Sequence, residues 1–228
     1  MAVSTTTAPE LTAEQVQRIL VQPLEAASTF LAAVATAASV AESEDPQDRA
    51  FMATVQANAA ASSGDHKQAL DYARQALEYS AAISLRHDAV RWAWTIAADA
   101  ALALGDETEV TRLVSALEGH RPGHVPPVLR AERLRIRARI LANKNDPAAA
   151  EAFDAATEAF RDLGSPYHLA VGLLDSADHL LAVGNSTIAQ QLAAEADTVA
   201  DRLPAPCLTE RARGFMTSPA AALASRTV

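Results

Sequence analysis

Between residues 45 and 203 the apolar side chains recur at helical spacing, and turn signals interrupt them regularly. The interruptions are Gly64-Asp65, Gly105-Asp106, Asn145-Asp146 and Gly184-Asn185, roughly 40 residues apart, a period that marks a stacked repeat. Helix-start signals stand at Pro46, Pro126 and Pro166, with Arg86 in the slot where a fourth is due. Proline suits the first helical position because the N–H it lacks would have no partner there. Asp45, Asp146 and Ser165 each precede a proline and can cap the helix it opens. Each unit therefore reads as helix A, a tight turn and helix B, with boundaries at 45–84, 85–124, 125–164 and 165–203.

Helix B carries small residues where a second helix must come close. Ala69, Ala73 and Ala76 share one side of the first, and Ala189, Ala193 and Ala196 repeat that spacing in the last. In the third unit the expected match is Ala152, Ala156 and Ala159; in the second it is Val110 and Ala116. A lone helix pair cannot bury its apolar face, so neighbouring pairs must do it. Upstream, Leu11 to Val16 reads as a capped helix start, and Pro23 should kink or split that helix. This predicts a disordered segment over 1–10 and a kinked capping helix over 11–44. Residues 204–228 read as a short helix bearing Arg211 and Arg213, then a frayed tail.

These positions resemble the tetratricopeptide repeat. Gly64-Asp65, Ala69, Tyr72, Ala76 and Leu77 match its turn and second helix, and Trp94 and Ala98 fall at its large and small helix A positions. Ala53 replaces the large residue in the first unit, and the period is about six residues longer than usual. The stretch from Ala148 to Leu203, with Phe160-Arg161-Asp162-Leu163-Gly164-Ser165-Pro166-Tyr167, resembles the C-terminal helical repeats of actinobacterial ATPase and LuxR-type regulators. The resemblance implies an all-α, right-handed α-solenoid of about four antiparallel helix pairs, serving as a sensing or scaffolding arm without a catalytic residue. A second resemblance, to the N-terminal arm of tailed-phage major capsid proteins, covers residues 9–33 through Leu11-Thr12-Ala13-Glu14-Gln15-Val16 and Leu20 to Ala26. It implies a capsid-associated protein.

In the tetratricopeptide register Arg135 and Arg139 face the concave groove, with Asn58, Trp92, Thr95, Asp99, Leu174 and Asp178 lining it too. Guanidinium groups pair well with carboxylates, so an acidic peptide or carboxylate ligand is one expectation. The other is that these arginines pair with Glu132, Asp99 or Asp178 and only solubilise the groove. Trp92 and Trp94 point to different sides of their helix, one toward the core and the other toward a ligand.

Composition narrows the function. Half of the 228 residues are hydrophobic but only 4% are aromatic, which favours closely packed alanine-rich helices over a sheet. The net charge of −9 argues against nucleic acid as a partner. Cys207 is the one cysteine, so no internal disulfide forms. His120 and His124 are four apart, but Pro122 and Gly123 break the helix that would join them as metal ligands. Glu42, Glu44, Asp45 and Asp48 read as helix-start charge rather than a cation site. No phosphate-binding glycine loop or nucleophile elbow is present, and Asp178-His179 lacks a nucleophile in any identifiable motif. With no bilayer-spanning run and no leader pattern, the expectation is a cytoplasmic, non-catalytic module without cofactor or metal. It would bind a protein or peptide, and leftover apolar surface on the terminal helices suits a homodimer.

Overall fold

A computed structural model describes residues 43–121, 123–203 and 205–217. The capsid-like stretch over 9–33 and the tail beyond Thr217 lie outside them. So does the expected capping helix, except for Ser43 and Glu44, which are not helical. Among the described residues the chain is all-helical, with no strand. The helices are α1 (Pro46–Ser62), α2 (His66–Glu78), the single turn α3 (Ser80–Ile83), α4 (Asp88–Leu104) and α5 (Glu107–Glu118). They continue as α6 (Pro127–Asn143), α7 (Ala149–Asp162), α8 (Pro166–Ala182), α9 (Ser186–Ala200) and α10 (Pro206–Thr217). Two compact units divide the chain, one up to Ala100 and the other from Ala101.

The four turns share one backbone design. Gly64, Gly105, Asn145 and Gly184 all adopt positive φ, between 53° and 85°. At each, that residue's N–H and the next one reach back to two helix carbonyls: Gly64 to Ala61 and Asp65 to Ala60, for example, or Gly184 to Leu181 and Asn185 to Leu180. This is the Schellman closure, which needs a left-handed residue that glycine or asparagine adopts cheaply. The next residue then caps the following helix: Asp65 accepts from the Gln68 N–H at 3.0 Å and Asp106 from that of Glu109 at 3.0 Å. Of the expected proline caps, Asp45 accepts from the Gln47 N–H at 2.7 Å. Asp146 accepts from the Ala148 N–H at 2.9 Å, and helix α7 starts one residue later. Ser165 makes no such cap, because its hydroxyl lies 2.7 Å from His168 Nδ1 instead.

The buried face of every B helix keeps one spacing. Ala69, Ala73 and Ala76 recur as Val110, Val114 and Leu117, as Ala149, Phe153 and Ala156, and as Ala189, Ala193 and Ala196. The matches expected at Ala152, Ala159 and Ala116 are therefore corrected: Ala116 is exposed, and Ala152 and Ala159 are only half-buried. The i, i+4, i+7 face is conserved in position, while Phe153 and the second unit's larger residues replace alanine on it.

In the first unit α1 packs on α2, with α3 against both. Thr54 is fully buried there, its hydroxyl 2.7 Å from the Ala50 carbonyl and 3.0 Å from that of Ala89 at the start of α4. Thr54→Val keeps the shape and removes this hydrogen bond. It is expected to lower stability by about 1 kcal/mol in urea unfolding. Trp94 is the core tryptophan and Trp92 is half-buried.

In the second unit each helix from α5 to α10 packs on the next, and α8 also touches α6 and α10. The core between α8, α9 and α10 joins Leu173, Leu174 and Ala177 to Ala189, Ala193, Leu208 and Phe215. This packing brings α6 and α10 to one side of α8, where the candidate site lies.

Candidate functional site

On α6, Glu132, Arg135 and Arg139 are spaced by three and four residues, so they form one stripe. Asp175, Asp178 and His179 form a similar stripe on α8. Because α6 and α10 both pack on α8, the two stripes meet, and Arg211 reaches them from α10.

Asp175 is the hub. Its Oδ2 accepts from Arg135 at 2.7 Å, and Arg139 Nε lies 3.8 Å from the same oxygen. Its Oδ1 accepts from Arg211 at 2.8 Å. Arg211 donates through the same nitrogen to Asp178. Arg135 also donates to Glu132 at 2.7 Å, and the side chains of both are only 2% exposed. Burial alone would raise the Asp175 pKa, but Arg135, Arg139 and Arg211 together hold it below the ordinary carboxylate range. Burial works against the charge on Arg211 too, yet Asp175 and Asp178 outweigh it and raise its pKa. The cluster continues inward: His168 Nε2 stands 3.9 Å from Glu132, and its ring stacks on Phe160 at 5.7 Å.

Beside this cluster opens a cavity of about 290 Å³, lined by Arg139, Asn143, Phe153, Asp178, His179 and Arg211 among others. Phe153 and His179 stack at 5.3 Å. Arg139 and Arg211 are about one-third exposed, while Asp178 is 56% exposed. The mouth thus offers two guanidinium groups, an amide and an imidazole, with the Asp178 carboxylate among them and the Phe153 ring buried behind. That set suits hydrogen bonding to an anionic or polar group. Among the described residues no serine, threonine, cysteine or lysine lines it. A second cavity of about 230 Å³ has an apolar floor of Ala101, Leu102, Val110 and Ile140. Lys144 and Glu107 pair at 3.2 Å on its rim.

Of the residues expected in a groove, Arg139 and Asp178 line the same cavity. Arg135 is buried among carboxylates and Leu174 lies in the core, so neither is open to a partner. Arg135 does pair with Glu132, as the solubilising alternative expects, and it pairs with Asp175 as well, a partner outside that expectation. Asn58 on α1 and Trp92, Thr95 and Asp99 on α4 are half-buried residues of the first unit. The Thr95 hydroxyl turns back to the Arg91 carbonyl at 3.3 Å.

Asp175, Phe153, His179 and Arg211 were not among the expected site residues. Asp175 carries a readable signal: Asp178 and His179 share its helix face, a polar stripe on an otherwise largely apolar helix. Nothing local points to Arg211 as that cation.

The chain matches no protein family, curated protein or solved structure. Among the described residues no helix is long and apolar enough to cross a membrane, and no group of acidic, histidine or cysteine side chains could hold a metal ion.

Proposed function

We propose that this chain is a non-catalytic, tetratricopeptide-like α-solenoid of four helix pairs. In this reading it acts in the cytoplasm as an interaction or scaffold module and binds a protein or peptide segment where α6, α8 and α10 meet. The observation that carries the reading is the cavity at Arg139, Asp178 and Arg211. It sits where α6 and α8, successive A elements in the repeat reading, meet the short helix α10 that follows the last repeat; the A helices are where such stacks present a concave binding surface. The successive A helices α6 and α8 touch, and this packing supports the stack.

A mixed-sequence peptide library, screened by fluorescence polarisation against the full chain, tests the proposal. Arg139→Glu reverses a charge at the mouth without touching the buried Arg135–Glu132 pair. It is expected to weaken the best binders about tenfold or more. Binding unchanged by this substitution would remove the site from the proposal. A ligand-sensing arm of a larger regulator is the second reading. It is favoured by the cavity's volume, about 290 Å³, which approaches that of small-molecule pockets.

A further inference from the structure

The charges around Asp175 are unevenly shared. One buried carboxylate faces three guanidinium groups, those of Arg135, Arg139 and Arg211. Glu132 offsets one of them from the buried side. Asp178 pairs with Arg211 as well; it is the most exposed member of the cluster and stands at the cavity mouth. Its departure into water costs little, because an exposed ion pair contributes little in the first place. Departure of Asp175 would cost far more, since its charge is buried and its three partners would be left facing one another.

We propose that Asp178 is an internal stand-in for a ligand, and that the cavity takes a carboxylate which displaces Asp178 from Arg211 and bonds to Arg211 and Arg139 together. This deepens the binding reading above, on which it rests, by naming the chemistry recognised. The incoming group exchanges one pairing for contacts to two guanidinium groups, and charge-assisted hydrogen bonds of this kind are the strong ones. The half-buried imidazole of His179, stacked on the buried Phe153 ring, gives the apolar part of the ligand a surface beside that contact. A carboxylate could belong to an acidic side chain of a peptide or to a free small acid.

The test uses three probes titrated into the isotope-labelled full chain by NMR: a blocked tripeptide holding one glutamate and one phenylalanine, its glutamine counterpart, and propionate. The glutamate peptide is expected to bind at least about fivefold more tightly than the glutamine peptide. Asp178→Asn should tighten the glutamate peptide by about threefold to fivefold and leave the glutamine peptide unchanged. Arg139→Gln should erase the difference between the two peptides. Asp178 is exposed, so its substitution leaves the fold intact, which a thermal melt checks.

Equal binding of the two peptides would overturn the carboxylate proposal while leaving peptide binding in place. Propionate binding as tightly as the glutamate peptide, with the same response to Asp178→Asn, would keep the carboxylate site and overturn its assignment to peptides. If no probe binds either the parent chain or Asp178→Asn, the proposal falls whatever the peptide library returns.

Discussion

Replacing Asp175 by alanine is expected to cost about 3–5 kcal/mol of stability, measured by urea unfolding at neutral pH. Arg135 is the reason. Its side chain is 2% exposed, and without Asp175 it loses a charge-assisted hydrogen bond of 2.7 Å in the interior. Glu132 still neutralises part of the charge, but it engages the other side of the guanidinium. Arg211 loses less, because Asp178 remains and its own side chain is 36% exposed. Breaking one partner of a buried pair is expensive for this reason, whereas replacing both by apolar groups is often nearly neutral. The double variant Arg135→Met, Asp175→Leu, with Glu132→Gln to remove the leftover charge, should therefore recover much of the loss. A triple variant as unstable as Asp175→Ala would show that the cost lies in packing rather than in an unpaired charge.

The pH dependence of the same position has a definite sign. Arg135 and Arg139 on α6 and Arg211 on α10 surround Asp175, with Glu132, Asp178 and His179 as the other titratable neighbours. The balance lowers the Asp175 pKa in the folded state. A carboxyl with a depressed folded pKa binds its proton more readily when unfolded, so its contribution is complete above the unfolded value of about 3.9. The contribution fades as pH falls through the lower folded value. The stability gap between the parent chain and Asp175→Asn should accordingly stay constant from neutral pH to about 4 and then narrow with further acid. A gap that narrows between pH 7 and 5 would contradict the assignment.

How much of this could be read from the sequence depends on how far apart the interacting residues lie along the chain. The turns were legible because a Schellman closure and the cap after it involve only a few consecutive residues, and Gly64-Asp65 or Asn145-Asp146 states both at once. The B-helix face was legible where it is alanine throughout. It became misplaced at α7, where Phe153 occupies the middle position and a search for alanine shifts to Ala152 and Ala159. Glu132 and Arg135 were legible as neighbours on one helix. Asp175 lies 40 residues from Arg135, and Arg211 lies 36 from Asp175. Their meeting depends on how α6, α8 and α10 are rotated against one another, which no local pattern records. For the same reason the tetratricopeptide register placed Leu174 in a groove: one residue along the helix is about 100° of rotation, enough to exchange a lining position for a core one.

Gly172 extends that point, because its role is visible only from the neighbouring helix. It lies within α8, where replacing glycine by alanine ordinarily stabilises a helix by about 1 kcal/mol. Here the opposite is expected. A Cβ at Gly172 would stand 2.9 Å from Phe160 Cδ2 and 3.3 Å from Cε2. Phe160 is fully buried on α7 and stacks on His168, so its ring cannot turn aside without disturbing His168, which also engages Ser165 and approaches Glu132. Overpacking of this kind costs about 1–3 kcal/mol, so Gly172→Ala should lower stability by a net amount of about 1–2 kcal/mol in urea unfolding. The sign carries the information. Phe160→Leu costs stability by itself, but it removes the ring atoms that the new methyl would meet. In that background Gly172→Ala should become neutral or stabilising, and the two changes should couple by about 1 kcal/mol or more in a double-mutant cycle. A gain in stability from Gly172→Ala with Phe160 in place would mean that α7 and α8 do not approach this closely. It would also remove the support that Phe160 gives His168 at the buried end of the ionic cluster.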